Sequence, residues 1–267
     1  MSDPIKKNNV KVIGNPDGPA MIFAHGFGTD QTAWDAVSRD FTDKYKVILY
    51  DNVGAGKSDP DEFSPNKYET LHVYAQDLID ICDSLGIKDA ILVGHSVSGM
   101  ISLLTAVKRP DLFSQMVLVG ASPRYLNDSG YVGGFSREDL DGLFQTMDNN
   151  YFAWVSGFSA AAMGNPDRPQ LAESFAGTLN AIRPDIAQSV ARVIFQSDHR
   201  ADLPKLNKDT LIIQAQEDIA VPLDVAEYLH HNIPGSHLEV VNAYGHFPHI
   251  SAPQEIIKAI KKFIHYN

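Results

Sequence analysis

Residues 90 to 100 read Ala-Ile-Leu-Val-Gly-His-Ser-Val-Ser-Gly-Met, an apolar run that breaks at a Gly-x-Ser-x-small turn and passes straight into helix-forming residues. A buried strand must therefore end in a sharp turn with a helix starting at once. A serine held at such a turn is pushed out of the sheet edge with its hydroxyl exposed, and small neighbours permit the close backbone approach. Gly94, Ser98 and Gly99 are the small neighbours here, which makes Ser96 the candidate nucleophile. The strict pattern has glycine where Ser98 stands, so the stretch taken alone also fits an ordinary glycine-rich turn.

Partners follow in a definite order. Leu211-Ile212-Ile213-Gln214 reads as a buried strand and is followed by Glu217-Asp218; Leu238-Glu239-Val240-Val241 reads as another and is followed by Gly245-His246-Phe247-Pro248-His249. Serine, then acid, then histidine is the chain order of hydrolases built on an open α/β sheet. A serine hydroxyl is a poor nucleophile at neutral pH, so an imidazole must take its proton and later return it to the leaving group. A carboxylate fixes the imidazole tautomer and steadies the imidazolium. His246 is the expected base and Asp218 the orienting acid, with His249 and Glu217 as rivals, and Asp218 could equally cap a turn. His230, His231 and His237 show no metal-ligand spacing and are expected at the surface; neither a metal nor a cofactor is expected.

His25-Gly26-Phe27-Gly28 follows the strand-like Met21–Ala24. In this architecture the loop after an early strand and the residue after the nucleophile each supply a backbone N–H to a developing oxyanion, which assigns those donors to Phe27 and Val97. His25 is expected to serve as a structural hydrogen-bonding group. Gly54-Ala55-Gly56-Lys57-Ser58 ends like a phosphate-binding loop, but position 51, where the leading glycine belongs, is Asp51. A tight turn at the sheet edge is the better reading.

Apolar β-rich runs at Val10–Ile13, Met21–Ala24, Val47–Tyr50, Ile91–Val93, Met116–Val119, Leu211–Gln214 and Leu238–Val241 alternate with helical stretches such as Tyr74–Leu85, predicting an α/β fold with a mostly parallel sheet flanked by helices. Ser251-Ala252-Pro253-Gln254 suggests a capping box before the last helix, which carries Ile256, Ile260 and Phe263 at helical spacing. Between Ser122 and about Arg200 the strand pattern stops. Leu140, Leu143, Phe144 and Met147; Tyr151, Trp154, Val155 and Phe158; Leu171, Phe175 and Leu179; and Ile186, Val190 and Val193 mark four helices. The expected organisation is a core of residues 1–121 and 201–267 with a helical cap, 122–200, inserted over the site. Phe27, Phe135, Leu143, Trp154, Phe158, Phe175, Phe195 and Ile219 are the expected pocket lining, although any one aromatic could simply fill the core.

With 22 basic and 33 acidic residues the 267-residue chain carries a formal charge of −11, which argues against nucleic acid or an anionic membrane as a partner. The single cysteine, Cys82, excludes an internal disulfide, and no apolar leader-like stretch or 18-residue apolar run occurs, so a soluble cytoplasmic protein is expected.

Over nearly its whole length the chain resembles the RsbQ-type α/β hydrolases, bacterial energy-stress regulators of the sigma-B pathway, and the plant karrikin and strigolactone receptor hydrolases of the same lineage. The likeness is carried by His25–Gln31, Gly94–Ser98, Ser122–Asp128, Gly133–Phe135, Asn150–Trp154, Arg183–Ile186, Ser197–Arg200 and Gly245-His246. It implies the α/β-hydrolase fold, a Ser96-His246-Asp218 triad, a V-shaped four-helix cap, slow turnover of a small hydrophobic ester or butenolide-type lactone, and a signalling role. In the bacterial branch the partner would be a phosphatase carrying a PAS sensor domain. A general metabolic carboxylesterase without a signalling partner is the alternative.

Overall fold

The seven strands sit where the apolar runs predict them, the first shifted by one residue and the other six lengthened by one to five, in a computed structural model that describes residues 2–265. They are β1 (Lys11–Gly14), β2 (Ala20–Ala24), β3 (Lys46–Tyr50), β4 (Ala90–His95), β5 (Phe113–Val119), β6 (Asp209–Glu217) and β7 (Ser236–Tyr244). The sheet order is β1-β3-β2-β4-β5-β6-β7, with β1 antiparallel to β3 and every other pair parallel. β2 and β4 are buried at every position, which is why they read as unbroken apolar runs. Edge strand β1 is exposed throughout.

Alternate residues of β4 feed two cores. Leu92 packs with Leu78, Ile81 and Met100 on the face covered by the helices Leu71–Leu85 and Val97–Lys108. Ile91 and Val93 point the other way, to Trp34 and to Ile256, Ile260 and Phe263 of the last helix. The helix expected at Tyr74 begins three residues earlier, at Leu71. The expected capping box at Ser251 is not formed: Pro248 opens a separate short helix that ends at Ser251, the last helix starts at Pro253, and the Ser251 hydroxyl donates instead to the Tyr244 carbonyl at 3.5 Å.

Between β5 and β6 the four expected helices form a lid over the carboxyl edge of the sheet: Arg137–Asn149, Tyr151–Met163, Pro169–Asn180 and Pro184–Gln196. Ser136 and Asp139 close a capping box on the first, the Asn150 side chain caps the second, and proline occupies the opening position of the third and fourth, where its missing N–H costs nothing. The chain enters and leaves the lid through one ion network. Arg124 contacts Asp198 at 2.6 Å, while Arg200 contacts Asp198 at 2.7 Å and Asp128 at 2.8 Å. Burial would raise the Asp198 carboxyl, but hydrogen bonds from Arg200 and Arg124 outweigh it and bring the pKa down to about 2. Among the described residues no helix is long and apolar enough to cross a membrane.

Candidate active site

Strand order changes direction between β2 and β4, and clefts at such switch points are where open α/β sheets bind ligands. Because Ala24 of β2 lies beside Gly94 of β4, the loop at His25 and the turn at Ser96 emerge side by side. Ser96 adopts φ 54° and ψ −124°, a strained backbone for a residue with a Cβ. It is held by its N–H to the Val119 carbonyl at 2.8 Å and by its carbonyl, which accepts from the Gly99 N–H at 2.8 Å. The small neighbours are obligatory: a Cβ on Gly94 would lie 2.5 Å from the Ser98 carbonyl oxygen, and one on Gly99 would lie 2.5 Å from the Ala121 Cβ. Ser98 is tolerated where the strict motif has glycine because its hydroxyl is used. It donates to the His25 carbonyl at 2.5 Å and accepts from Asn52 Nδ2 at 3.2 Å, tying the elbow to the neighbouring loop.

Three residues far apart in sequence meet at the turn. The Ser96 hydroxyl lies 2.8 Å from His246 Nε2, and His246 Nδ1 lies 2.8 Å from Asp218 Oδ2. With Nδ1–H donating to the carboxylate, Nε2 carries the lone pair that faces the serine. The other Asp218 oxygen accepts from the N–H groups of Ala220 and Val221 at 2.8 and 3.1 Å, so one side chain both caps its turn and grips the imidazole. Glu217, the rival acid, is exposed and contributes only its carbonyl, which accepts from Gly245 N–H. The register of β6 against β7 shifts between Ala215 and Glu217, an irregularity that re-aims the strand end beside the site.

The rival base is elsewhere. His249 is fully buried, with its ring 4.4 Å from Trp34 and 4.2 Å from His95 and both nitrogens without a partner among the described residues. Burial first, then the proximity of His246 and His25, pushes its pKa down to about 3. His95 Nε2 lies 2.8 Å from the His246 carbonyl, and burial together with His249 and His246 holds this imidazole neutral. His25 is structural: Nδ1–H donates to the Gly26 carbonyl at 2.8 Å and Nε2 accepts from Asn52 N–H at 2.9 Å. His230, His231 and His237 are exposed.

Val97 opens a helix, so its N–H has no intrahelical acceptor, and among the described residues neither it nor the Phe27 N–H donates to a backbone carbonyl. Both amides are free to face a substrate oxygen. The Asp51 loop is unsuited to phosphate. Its Lys57 N–H turns inward to donate to the Asp51 carboxylate at 2.9 Å, the Gln31 N–H of the preceding loop fills the other carboxylate oxygen at 2.9 Å, and a Cβ on Gly56 would lie 2.6 Å from that carboxylate.

The expected pocket residues divide. Phe27 lines a narrow cavity of about 30 Å³ beside the elbow, together with Val97 and groups from the core and lid. Phe135 and Phe195 meet each other at 5.6 Å and gather around Tyr125, with half-buried Leu143 packed in the same core. Trp154 stacks on Phe158 at 4.9 Å, and the row continues through Phe175 to Phe247, the neighbour of His246. Ile219 is 57% exposed, because the two N–H bonds to Asp218 turn the chain back just after it. Sequence reasoning missed Tyr125 as a site residue. Its buried hydroxyl is 3.3 Å from Ser96 Oγ, and burial raises its pKa, so it stays protonated. The available signal was its position in the first loop after β5.

Fold and site together define a serine hydrolase. The family model described as alpha/beta hydrolase fold matches residues 19–253, and the chain belongs to that family. Within it the chain is closely similar to plant receptor hydrolases. It is 45% identical to the karrikin insensitive 2 receptor CA of Petunia hybrida, covering 97% of this chain and 96% of the relative. It is 44% identical to the strigolactone esterase D14 of Arabidopsis thaliana, covering 95% of each. Among solved structures, olei00960, a hydrolase from Oleispira antarctica, superposes with a TM-score of 0.96 at 33% identity, covering 99% of this chain and 97% of that one.

Proposed function

We propose that the protein cleaves small hydrophobic esters or butenolide-type lactones slowly through Ser96, and that the reaction serves signalling. The observation that carries the reading is the unbroken relay from Ser96 through His246 to Asp218 at 2.8 Å per step, with two free amides alongside. Ser96 Oγ attacks the carbonyl carbon as its proton passes to His246 Nε2, and Phe27 and Val97 N–H hold the oxyanion. The C–O bond to the leaving group breaks and His246 returns the proton to that oxygen; in a lactone the freed alcohol stays attached to the acyl group. Water, deprotonated by His246, then adds to the acyl carbon; the bond to Ser96 Oγ breaks as His246 returns that proton to the serine oxygen, and the acid is released. Residues 1–121 and 201–267 act as the hydrolase core and 122–200 as the cap that closes the pocket. The signalling role rests on the similarity to proteins named as karrikin receptors and strigolactone esterases.

The test is hydrolysis of a fluorogenic ester and a butenolide by wild type and Ser96→Ala, with intact mass followed through the reaction. Slow turnover with a lasting adduct on wild type, and a loss of at least about 10³-fold in the variant, is expected. Undiminished turnover in the variant would overturn the reading; fast turnover without an adduct favours a metabolic carboxylesterase. The RsbQ-type resemblance extends the proposal to a PAS-domain phosphatase as partner, which co-purification with and without ester would test.

A further inference from the structure

We infer that His95 is a positioning residue for the hydrolysis, its side chain holding the main chain of His246 at the distance from Ser96 that proton transfer requires. The inference rests on the hydrolase reading above and deepens it. Attack on a carbonyl needs the nucleophile, the base and the oxyanion donors within hydrogen-bond reach of one another. Here they stand on three separate segments, which follow β4, β7 and β2. His95, fully buried at the end of β4, meets all three.

Its main chain runs directly into Ser96. Its ring falls on the face of β4 that carries Ile91 and Val93, since alternate residues of a strand share a face, and there it packs 5.1 Å from Phe247 and 4.2 Å from His249. Nε2 lies 2.8 Å from the His246 carbonyl. A carbonyl can only accept, so the hydrogen sits on Nε2, and the bond runs from the residue before the nucleophile to the base itself. At the other ring nitrogen, a Cβ on Gly26 would collide with His95 Nδ1 and lie 3.2 Å from the Ser96 Cβ, so the loop carrying the Phe27 amide also rests against this imidazole.

Asp218 orients the His246 imidazole at Nδ1, but it does not set how far the His246 main chain stands from the elbow. The His95 bond does. Among the described residues no backbone N–H reaches the His246 carbonyl, so the His95 donor is what holds that end of the peptide unit. The ring is rigid and wedged between its neighbours, and one side chain of fixed length therefore spaces nucleophile and base. Without the donor the carbonyl is a buried acceptor lacking a partner, and the loop must turn to find one. A misplacement on the order of 1 Å is enough to cost about 10²-fold in rate.

Substitutions at this position separate the donor from the space it fills. Glutamine carries its nitrogen as many bonds from Cβ as histidine carries Nε2, methionine has a methyl group there, and asparagine has its nitrogen one bond short. With p-nitrophenyl acetate, His95→Gln is expected to keep kcat within about threefold of wild type, whereas His95→Met and His95→Asn each lower it by about 10- to 100-fold with KM changed less than about twofold. Thermal melts refer each value to folded protein, and two variants without the donor keep the result from depending on the folding of one. Equal kcat in His95→Gln and His95→Met, whether high or low, overturns the inference, because the ring would then only fill space; a loss carried by KM alone does the same. Nitrogen-15 NMR of histidine-labelled wild type gives a second readout. The His95 imidazole, identified as the signal missing from His95→Gln, is expected as the Nε2–H tautomer, and the Nδ1–H tautomer would overturn the assignment of the donor. The absence of Ser96-dependent hydrolysis in the wild type is instead a failure of the hydrolase reading.

Discussion

Ser98 shows how a departure from a motif can be informative. In the strict elbow pattern this position is glycine, yet here its hydroxyl joins the His25 carbonyl and the Asn52 amide, so the residue that weakens the motif braces the loop carrying Phe27. Ser98→Ala removes that brace. It should cost about 1 kcal/mol of stability, since Asn52 still reaches the same carbonyl, and lower kcat several-fold; urea titration and ester kinetics on the same preparation measure both. Nucleophile, base and acid were legible in the sequence because the chemistry dictates their residue types and the fold dictates their order. Tyr125 and the role of Ser98 were not, because they depend on which loop folds back over the elbow. Ile219 misled for a similar reason, since only the hydrogen bonds inside the Asp218 turn decide which way the following residue faces.

At the level of elements, the buried strands were legible because both faces of β2 and β4 are covered, leaving no room for alternation. The lid helices were legible because each keeps a regular apolar face. The capping box at Ser251 was not, since Pro248 starts its own turn and consumes Ser251 before the last helix begins. The strand ends and the short helix after β7 also concentrate a titratable group: His25, His95 and His249 are all buried with their pKa lowered, chiefly by desolvation. Unfolded, each titrates near 6.5 and binds a proton that the folded form refuses, so stability is fully present above that pH and is lost on acidification. For His249 the loss continues down to about 3. Three such groups give a slope of at most about 4 kcal/mol per pH unit between pH 6 and 5. The urea midpoint should fall steeply across pH 7.5, 6 and 5, and a flat profile would mean that these rings find protons or partners in the folded state.

Across the whole molecule, lid and core meet at the catalytic histidine itself. The His246 N–H donates to the Ala162 carbonyl at 2.7 Å, at the end of the second lid helix, and Asn165 Nδ2 donates to the Tyr244 carbonyl at 2.9 Å. Gly245 and Gly164 make this possible. A Cβ on Gly245, where φ is +85°, would lie 1.9 Å from the Met163 carbonyl oxygen, and one on Gly164 would lie 2.9 Å from the Gly245 Cα. Gly245→Ala is therefore expected to cost about 2 kcal/mol or more and to cut kcat by more than the loss of folded protein explains, which a thermal melt alongside active-site titration would separate.

One hydrogen bond thus belongs to two machines. The amide of the proton-transferring residue is part of the lid's footing, so one contact positions both the lid helix and the base. A substitution that shifts the end of the second lid helix is therefore expected to disturb the His246 imidazole as well, and kcat of such a variant against its folded fraction checks it.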